Sequence, residues 1–210
     1  MKSILSDHNR LVDLIFGGIG FVFIIGDVVC SSDGNLTLLT LPYSICTFGL
    51  LSLTIFCFSG RRFFLDVAYY WIALGVFHAL LFPDTNEIAN SADFAYYIVG
   101  HLIPPLILFY YMAGRNLPPS KPSFWRAYLS LAVVCFGYIY PLNWIYDKNF
   151  FYLIHPPAFQ GLSTYHSIVY IFMATGYIFF FFWVTKLFYR YVANKIIILQ
   201  NEQNDTALTN

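Results

Sequence analysis

The sequence predicts an all-α membrane protein: a bundle of six transmembrane helices with both termini on the cytoplasmic side. Three observations carry that expectation. Of 210 residues, 59% are hydrophobic and 10% charged, against roughly 45–50% and about 25% in soluble domains, and mean hydropathy is +0.63. Six apolar stretches approach the roughly 20 residues needed to cross a 30 Å hydrocarbon core. All but one of the Lys and Arg residues fall on one side of those stretches, the pattern that orients membrane proteins. A soluble globular domain, a disordered tail and a nucleic-acid binder are excluded. Strand alternation is missing, so a barrel is not expected either.

The first span, about 11–30, follows Lys2 and Arg10. No small-residue cleavage site comes after it, so a removed signal peptide is not expected. Val29 and Asp27 do not fit a lipoprotein site at Cys30. Gly17-Gly18-Ile19-Gly20 reads as a close-packing patch for a neighbouring helix. The second span covers about 37–58, and Asn35-Leu36-Thr37 lies too near its start to serve as a glycosylation acceptor. Arg61 and Arg62 separate it from the third, about 63–83. The fourth covers about 94–113; Arg115, Lys121 and Arg126 lead into the fifth, about 127–146. The sixth covers about 167–189, with Lys186, Arg190 and Lys195 at its end and a polar tail over 191–210. The opposite loops hold Asp33, Asp84, Glu87, Asp93 and Asp147, with Lys148 as their one cation. Ten of eleven basic residues thus lie on one side, and residues 1–190 form a single domain.

Unpaired polar groups are costly in hydrocarbon and usually face the bundle interior, so depth is informative. Counting at 1.5 Å per residue, Cys46 and His101 both lie about 12 Å below the outer ends of spans two and four. His78 lies about 6 Å below the end of span three, and Asn143 and Trp144 approach the outer end of span five. Ser44 and Thr47 flank Cys46. Cys46, His78, His101 and Asn143 therefore share the outer half of the bilayer, whereas the inner half offers mainly Asp66 and scattered hydroxyls. Pro104, Pro105 and Pro141 free the carbonyls of Gly100, His101 and Gly137, since proline cannot donate to the residue four before it. Cys30, Cys46, Cys57 and Cys135 form no disulfide framework, and neither metal-ligand spacing nor a Gly-rich phosphate loop is present. A thiol beside an imidazole suits acyl transfer: the thiolate attacks an ester carbonyl and the imidazolium protonates the leaving alcohol. Asn143 could donate to the oxyanion or orient the histidine. The bland alternatives are a buried small hydrophobe, a histidine that satisfies a carbonyl, and prolines that merely kink.

The stretch Leu41-Pro42-Tyr43-Ser44-Ile45-Cys46-Thr47 resembles the Leu-Pro-x-His-x-Cys element of the YwaF-like, or transmembrane protein 164, family. His78-Ala79-Leu80-Leu81-Phe82-Pro83-Asp84 is similar to its Gln-Ala-Leu-Leu-Thr-Pro-Asp turn, and Val99-Gly100-His101 to its Ser-His-Gly element. Pro141-Leu142-Asn143-Trp144, then Lys148 to Leu153 and Pro156, resemble its Asn-Trp, Thr-Asn-Tyr-Met-Phe-Leu and Lys-Pro run. Order and spacing agree over about residues 41–157. The resemblance implies six helices and, from animal relatives, phospholipid acyl transfer through a cysteine in the second helix and a histidine in the fourth. In this chain those are Cys46 and His101. Two positions depart from the pattern: Ser44 stands where the family usually has histidine, and His78 where it usually has glutamine.

The expected function is therefore membrane-embedded lipid acyl transfer or lipid-ester hydrolysis. Cys46 is the nucleophile, His101 the base, and Ser44, His78, Asn143 and Trp144 a supporting polar cluster. Membrane lipids are the expected partners, nucleic acid is not, no cofactor or metal is expected, and the expected location is the plasma membrane of a bacterium. The alternatives are a small-molecule or lipid transporter and a non-catalytic lipid-binding protein, the latter with an apolar groove around Phe179 to Phe182.

Overall fold

The computed structural model describes residues 7–32, 44–81, 91–147, 150 and 167–208. Among them run six helical rods. Helix α1 is Asp7–Ser32, α2 Ile45–Ser59 and α3 Arg62–Leu81. Helix α4 is Ser91–Phe109, continued by a π turn at Tyr110–Gly114. Helix α5 runs over Ser123–Tyr146 with a π turn at Cys135–Ile139 inside it, and α6 is Ser167–Leu208. No strand occurs among the described residues. The all-helical membrane fold stands: five rods are long and apolar enough to cross a bilayer, and α2 is a shorter apolar helix. Parts of the sequence motifs, namely Leu41 to Tyr43, Phe82 to Asp84, Lys148, Asn149, Phe151 to Leu153 and Pro156, lie outside the described residues, as do Asn35 to Thr37.

Helix α2 starts later than the hydropathy predicts. Ser44 is extended (φ −102°, ψ 148°), and its hydroxyl accepts the Thr47 N–H. This is an N-cap, which satisfies a donor that no earlier carbonyl can reach. Fifteen residues make α2 about 22 Å long, short of the core thickness. At its other end Gly60 takes the left-handed conformation (φ 66°) and returns its N–H to the Phe56 carbonyl. Only glycine does this cheaply, and α3 begins two residues later, antiparallel to α2. Helix α6 runs past the expected end of the sixth span and carries the polar tail as helix to Leu208.

Lipid tails are as apolar as leucine, so helices in a bilayer associate through close packing. The Gly17 to Gly20 patch does this as expected. A Cβ on Gly20 would lie 2.2 Å from Thr54 Oγ1 of α2, and one on Gly17 3.0 Å from the Phe58 ring. Gly18 faces open space. On the other side of α2, a Cβ on Gly49 would meet the Ile72 backbone at 3.0 Å, and one on Gly75 would meet Cys46 Sγ at 2.6 Å. Helix α2 is thus clamped between α1 and α3.

Helix α3 is the centre of the bundle, buried without break from Leu65 to Ile72. Its polar groups each reach a different neighbour. Tyr69 donates to the Leu117 carbonyl (2.8 Å), Trp71 to the Ala127 carbonyl (3.0 Å), and Tyr70 shares a hydrogen bond with Ser123 (3.1 Å). Tyr189 of α6 donates to the Tyr69 carbonyl (3.0 Å). Asp66, fully buried, accepts from Ser120 N–H (2.9 Å) and Oγ (2.5 Å) and pairs with Arg126 (2.6 Å) and Arg62 (3.4 Å). Pro141 sits just after the second π turn, where the Tyr140 N–H reaches back to Cys135. The wider turn absorbs the bond that proline removes.

Gly75→Ala is expected to lower stability by about 1–3 kcal/mol through overpacking, because both the Cys46 sulfur and its backbone block the new methyl. Gly18→Ala should cost nothing measurable. Thermal unfolding of the two variants in detergent micelles checks both expectations.

Candidate functional site

Cys46 occupies the second position of α2, in the first turn, where backbone N–H groups lack intrahelical acceptors. That end of a helix favours negative charge. The thiol is half-buried and, as the contact at Gly75 shows, packed onto α3. Beside it runs a chain of hydroxyl donors. Thr47 donates to Asp27 Oδ2 (2.8 Å), which uses its one proton, so Ser44 donates to Thr47 (2.8 Å) while accepting the Thr47 N–H (3.1 Å). Asp27 is the member the sequence reading passed over. Its signal was available: a carboxylate within an apolar span is costly unless paired.

Antiparallel register orders the rest. Helix α1 carries Asp27 and Phe23 one turn apart on one face. Asp27 meets Thr47 of α2, and Phe23 meets Gly100 of α4, where an added Cβ would lie 3.7 Å from the ring. His101 follows Gly100 on α4, and Tyr97, one turn before it, donates to the Ala79 carbonyl of α3 (2.6 Å). Among the described residues no hydrogen bond joins the Cys46 and His101 side chains.

His101 is fixed by its own helix. Its Nδ1 lies 2.7 Å from the Tyr97 carbonyl and its ring leans on the Tyr97 ring, centroids 4.4 Å apart. A carbonyl only accepts, so Nδ1 carries the hydrogen and neutral His101 presents Nε2 as a bare acceptor. His78 follows the same pattern with Leu74 (2.7 Å), but its Nε2 meets the Tyr177 hydroxyl of α6 at 2.9 Å. His78 is three residues beyond Gly75, so it lies one turn from the surface that Cys46 touches and about 60° round the helix.

The other two candidates lie apart from this group. Asn143 is fully buried, and both ends of its amide are engaged: Nδ2 donates to the Phe150 carbonyl (3.0 Å) and Oδ1 accepts the Phe150 N–H (2.7 Å). It closes the turn in which Asp147 takes a left-handed conformation (φ 50°). Trp144 is 80% exposed on the outer surface of α5, which suits an interfacial aromatic and places it outside the polar cluster. Ser44, Cys46, Thr47 and Asp27 are thus brought together; His78 and His101 flank them on α3 and α4; Asn143 staples a turn.

A second polar group, at the basic end, also escaped the sequence reading. Asp13 of α1, fully buried, accepts from Tyr111 (2.7 Å) and lies 3.4 Å from Arg115. Tyr111 has then spent its proton, so the Cys57 thiol donates to Tyr111 (3.3 Å). The π turn at Tyr110–Gly114 carries Tyr111 and leads directly into Arg115. Among the described residues no group of three or more metal-ligating side chains occurs.

A model of the TMEM164 family matches residues 9–195, which takes in nearly all of α1, all of α2 to α5, α6 up to Lys195 and all of the candidate residues. The chain belongs to the TMEM164 family. No curated protein and no solved structure matches it. Family membership agrees with the motif resemblance and with a multi-pass membrane protein.

Ser44→Ala removes the cap of α2 and is expected to cost about 0.5–2 kcal/mol. The first turn then opens more often, and maleimide labelling of Cys46 should speed up by about fivefold per kcal/mol lost. Ser44→Thr should label like the wild type. Intact mass against time, in variants lacking the other cysteines, reads the rates.

Proposed function

We propose that this TMEM164-family chain is a membrane-embedded lipid acyltransferase or lipid-ester hydrolase, with Cys46 as nucleophile and His101 as base. One observation carries the reading: the Tyr97 carbonyl holds His101 in the tautomer that presents Nε2 as acceptor, the form a general base needs. Placement of Cys46 in the first turn of α2 sets backbone N–H groups beside the reacting carbonyl, which supports it further.

The cycle balances with these groups, lipid and water. His101 Nε2 takes the thiol proton, and the thiolate attacks the ester carbonyl of a glycerolipid. The tetrahedral oxyanion forms beside the first-turn N–H groups of α2, which can stabilise it. As it collapses, the carbon–oxygen bond breaks and His101 returns the proton to the leaving alcohol, leaving an acyl thioester on Cys46. Water or a lipid alcohol then gives its proton to His101, attacks the thioester and releases acid or a new ester with the thiol restored. Among the described residues no hydrogen bond joins the two side chains; catalytic contacts often tighten only when substrate is bound. His78 is the alternative base, since its helix is the one Cys46 touches. The substrates under this reading are phospholipid or lysophospholipid, and the setting is a bacterial plasma membrane.

A second reading has its own observation. Cys46 is also a small side chain at a tight helix crossing, which fits a non-catalytic lipid-binding scaffold.

Intact mass after incubation with phospholipid vesicles separates the readings. Acyl transfer predicts a hydroxylamine-labile acyl adduct on the wild type and none on Cys46→Ala, with at least a hundredfold slower formation in His101→Asn. Loss in His78→Asn instead would transfer the base role to His78. If no adduct forms at any quench time and Cys46 labels with thiol reagents no faster than Cys135, the scaffold reading holds.

A further inference from the structure

At the basic end, opposite the Cys46 face, lies a cavity of about 190 Å³ between α6 and the segment joining α4 to α5. One wall is a single face of α6: Lys186, Arg190, Ala193, Asn194 and Ile197 recur at the three- and four-residue spacing of a helix stripe. The other is the Pro118-Pro119-Ser120-Lys121 segment, with Ser123 and Tyr70 at the base.

This wall is built rather than loose. Asp66 binds Ser120 through both its N–H and its hydroxyl, Tyr69 holds the Leu117 carbonyl, and Arg62 donates to the Pro118 carbonyl. Two successive prolines stiffen what those bonds pin. Lys186 is steered by the Phe124 ring, 5.4 Å below its ammonium.

Charge in the cavity has one sign. Lys121, Lys186 and Arg190 line it, and no Asp or Glu does. Among the described residues none of the three forms a salt bridge. Asp66, the carboxylate behind the wall, is already taken by Arg62, Arg126 and Ser120. Three cations converging on one preformed space, with an amide from Asn194, need an anion with several acceptor oxygens. A phosphoryl group meets that need: the guanidinium offers a fork and the lysines point charges. Basic pockets between membrane helices take anionic lipid headgroups in this way.

We propose that this cavity is a binding site for a phosphoryl anion, distinct from the Cys46 site and independent of any acyl-transfer chemistry there. A headgroup of an anionic glycerolipid in the basic-side leaflet and a soluble phosphate are the two sources of that anion.

The test is isothermal titration of the full-length protein in neutral detergent with dihexanoyl phosphatidylglycerol, dihexanoyl phosphatidylcholine and inorganic phosphate. Saturable binding of the phosphatidylglycerol, weakening as NaCl rises, is expected, and the zwitterionic lipid should bind far more weakly. Equal binding of inorganic phosphate assigns the site to soluble phosphates, and its failure to bind assigns it to lipid. Lys121→Gln, Lys186→Gln and Arg190→Gln should each weaken binding about fivefold. Lys195→Gln, on the same helix but outside the cavity, should leave it unchanged. Thermal unfolding of each single variant shows that it is folded. Absence of saturable binding by both anions overturns the proposal. So does an equal loss in Lys195→Gln, which would mean diffuse charge rather than a site.

Discussion

A carboxylate buried among membrane helices must be met by donors, and Asp66 shows how much structure that demand organises. Its partners come from its own helix, from the segment joining α4 to α5, and from α5 itself. Holding Ser120 fixes where that segment crosses the end of the bundle. Tyr69, Tyr70 and Trp71, one turn along α3, then find acceptors or partners on elements already in register. Removing one partner from such a group leaves an uncompensated buried charge, typically a loss of 3–5 kcal/mol. The wall of the basic cavity is a by-product of the same contacts.

The two ends of the molecule use polar groups differently. At the basic end, Asp66 and Asp13 face arginines, and Tyr69, Trp71 and Tyr111 donate to other elements. At the opposite end, His78 and His101 each bind the carbonyl one turn before them on their own helix. A ring satisfied within its own helix keeps its second nitrogen for something else: Tyr177 in the case of His78, and in the proposed chemistry a thiol proton in the case of His101. Both ends share one device, a donor chain that finishes on a carboxylate of α1. Ser44 and Thr47 lead to Asp27, and Cys57 and Tyr111 lead to Asp13.

Glycines decide how close the first three helices come. With no apolar driving force between helices in lipid, contact distance matters more than hydrophobicity, and Gly20, Gly49 and Gly75 bring backbone against side chain. Cys46 belongs to this packing as much as to any reaction. Its sulfur rests where a methyl group on α3 would otherwise be, which gives it a defined direction at the mouth of α2.

The sequence by itself determined the membrane class, the helical rods, the one-sided distribution of cations and the small-residue patch of α1. These follow from demands that lipid makes on each segment separately: length, apolarity, satisfied backbone and charge at the ends. It also singled out Ser44, Cys46, His78 and His101 as polar groups in expensive places. Which of them meet was a matter of tertiary structure. Asp27 and Asp13 gained meaning only when α2 and α4 packed against α1. Asn143 is committed to Phe150, and Trp144 faces outward, because the turn after α5 and the rotation of that helix set their directions. Helix α2 starts at Ile45 because Ser44 caps it, which mean hydropathy does not sense. Depth along a helix is a count of residues. Rotation and register between helices depend on neighbours that no single stretch of sequence contains.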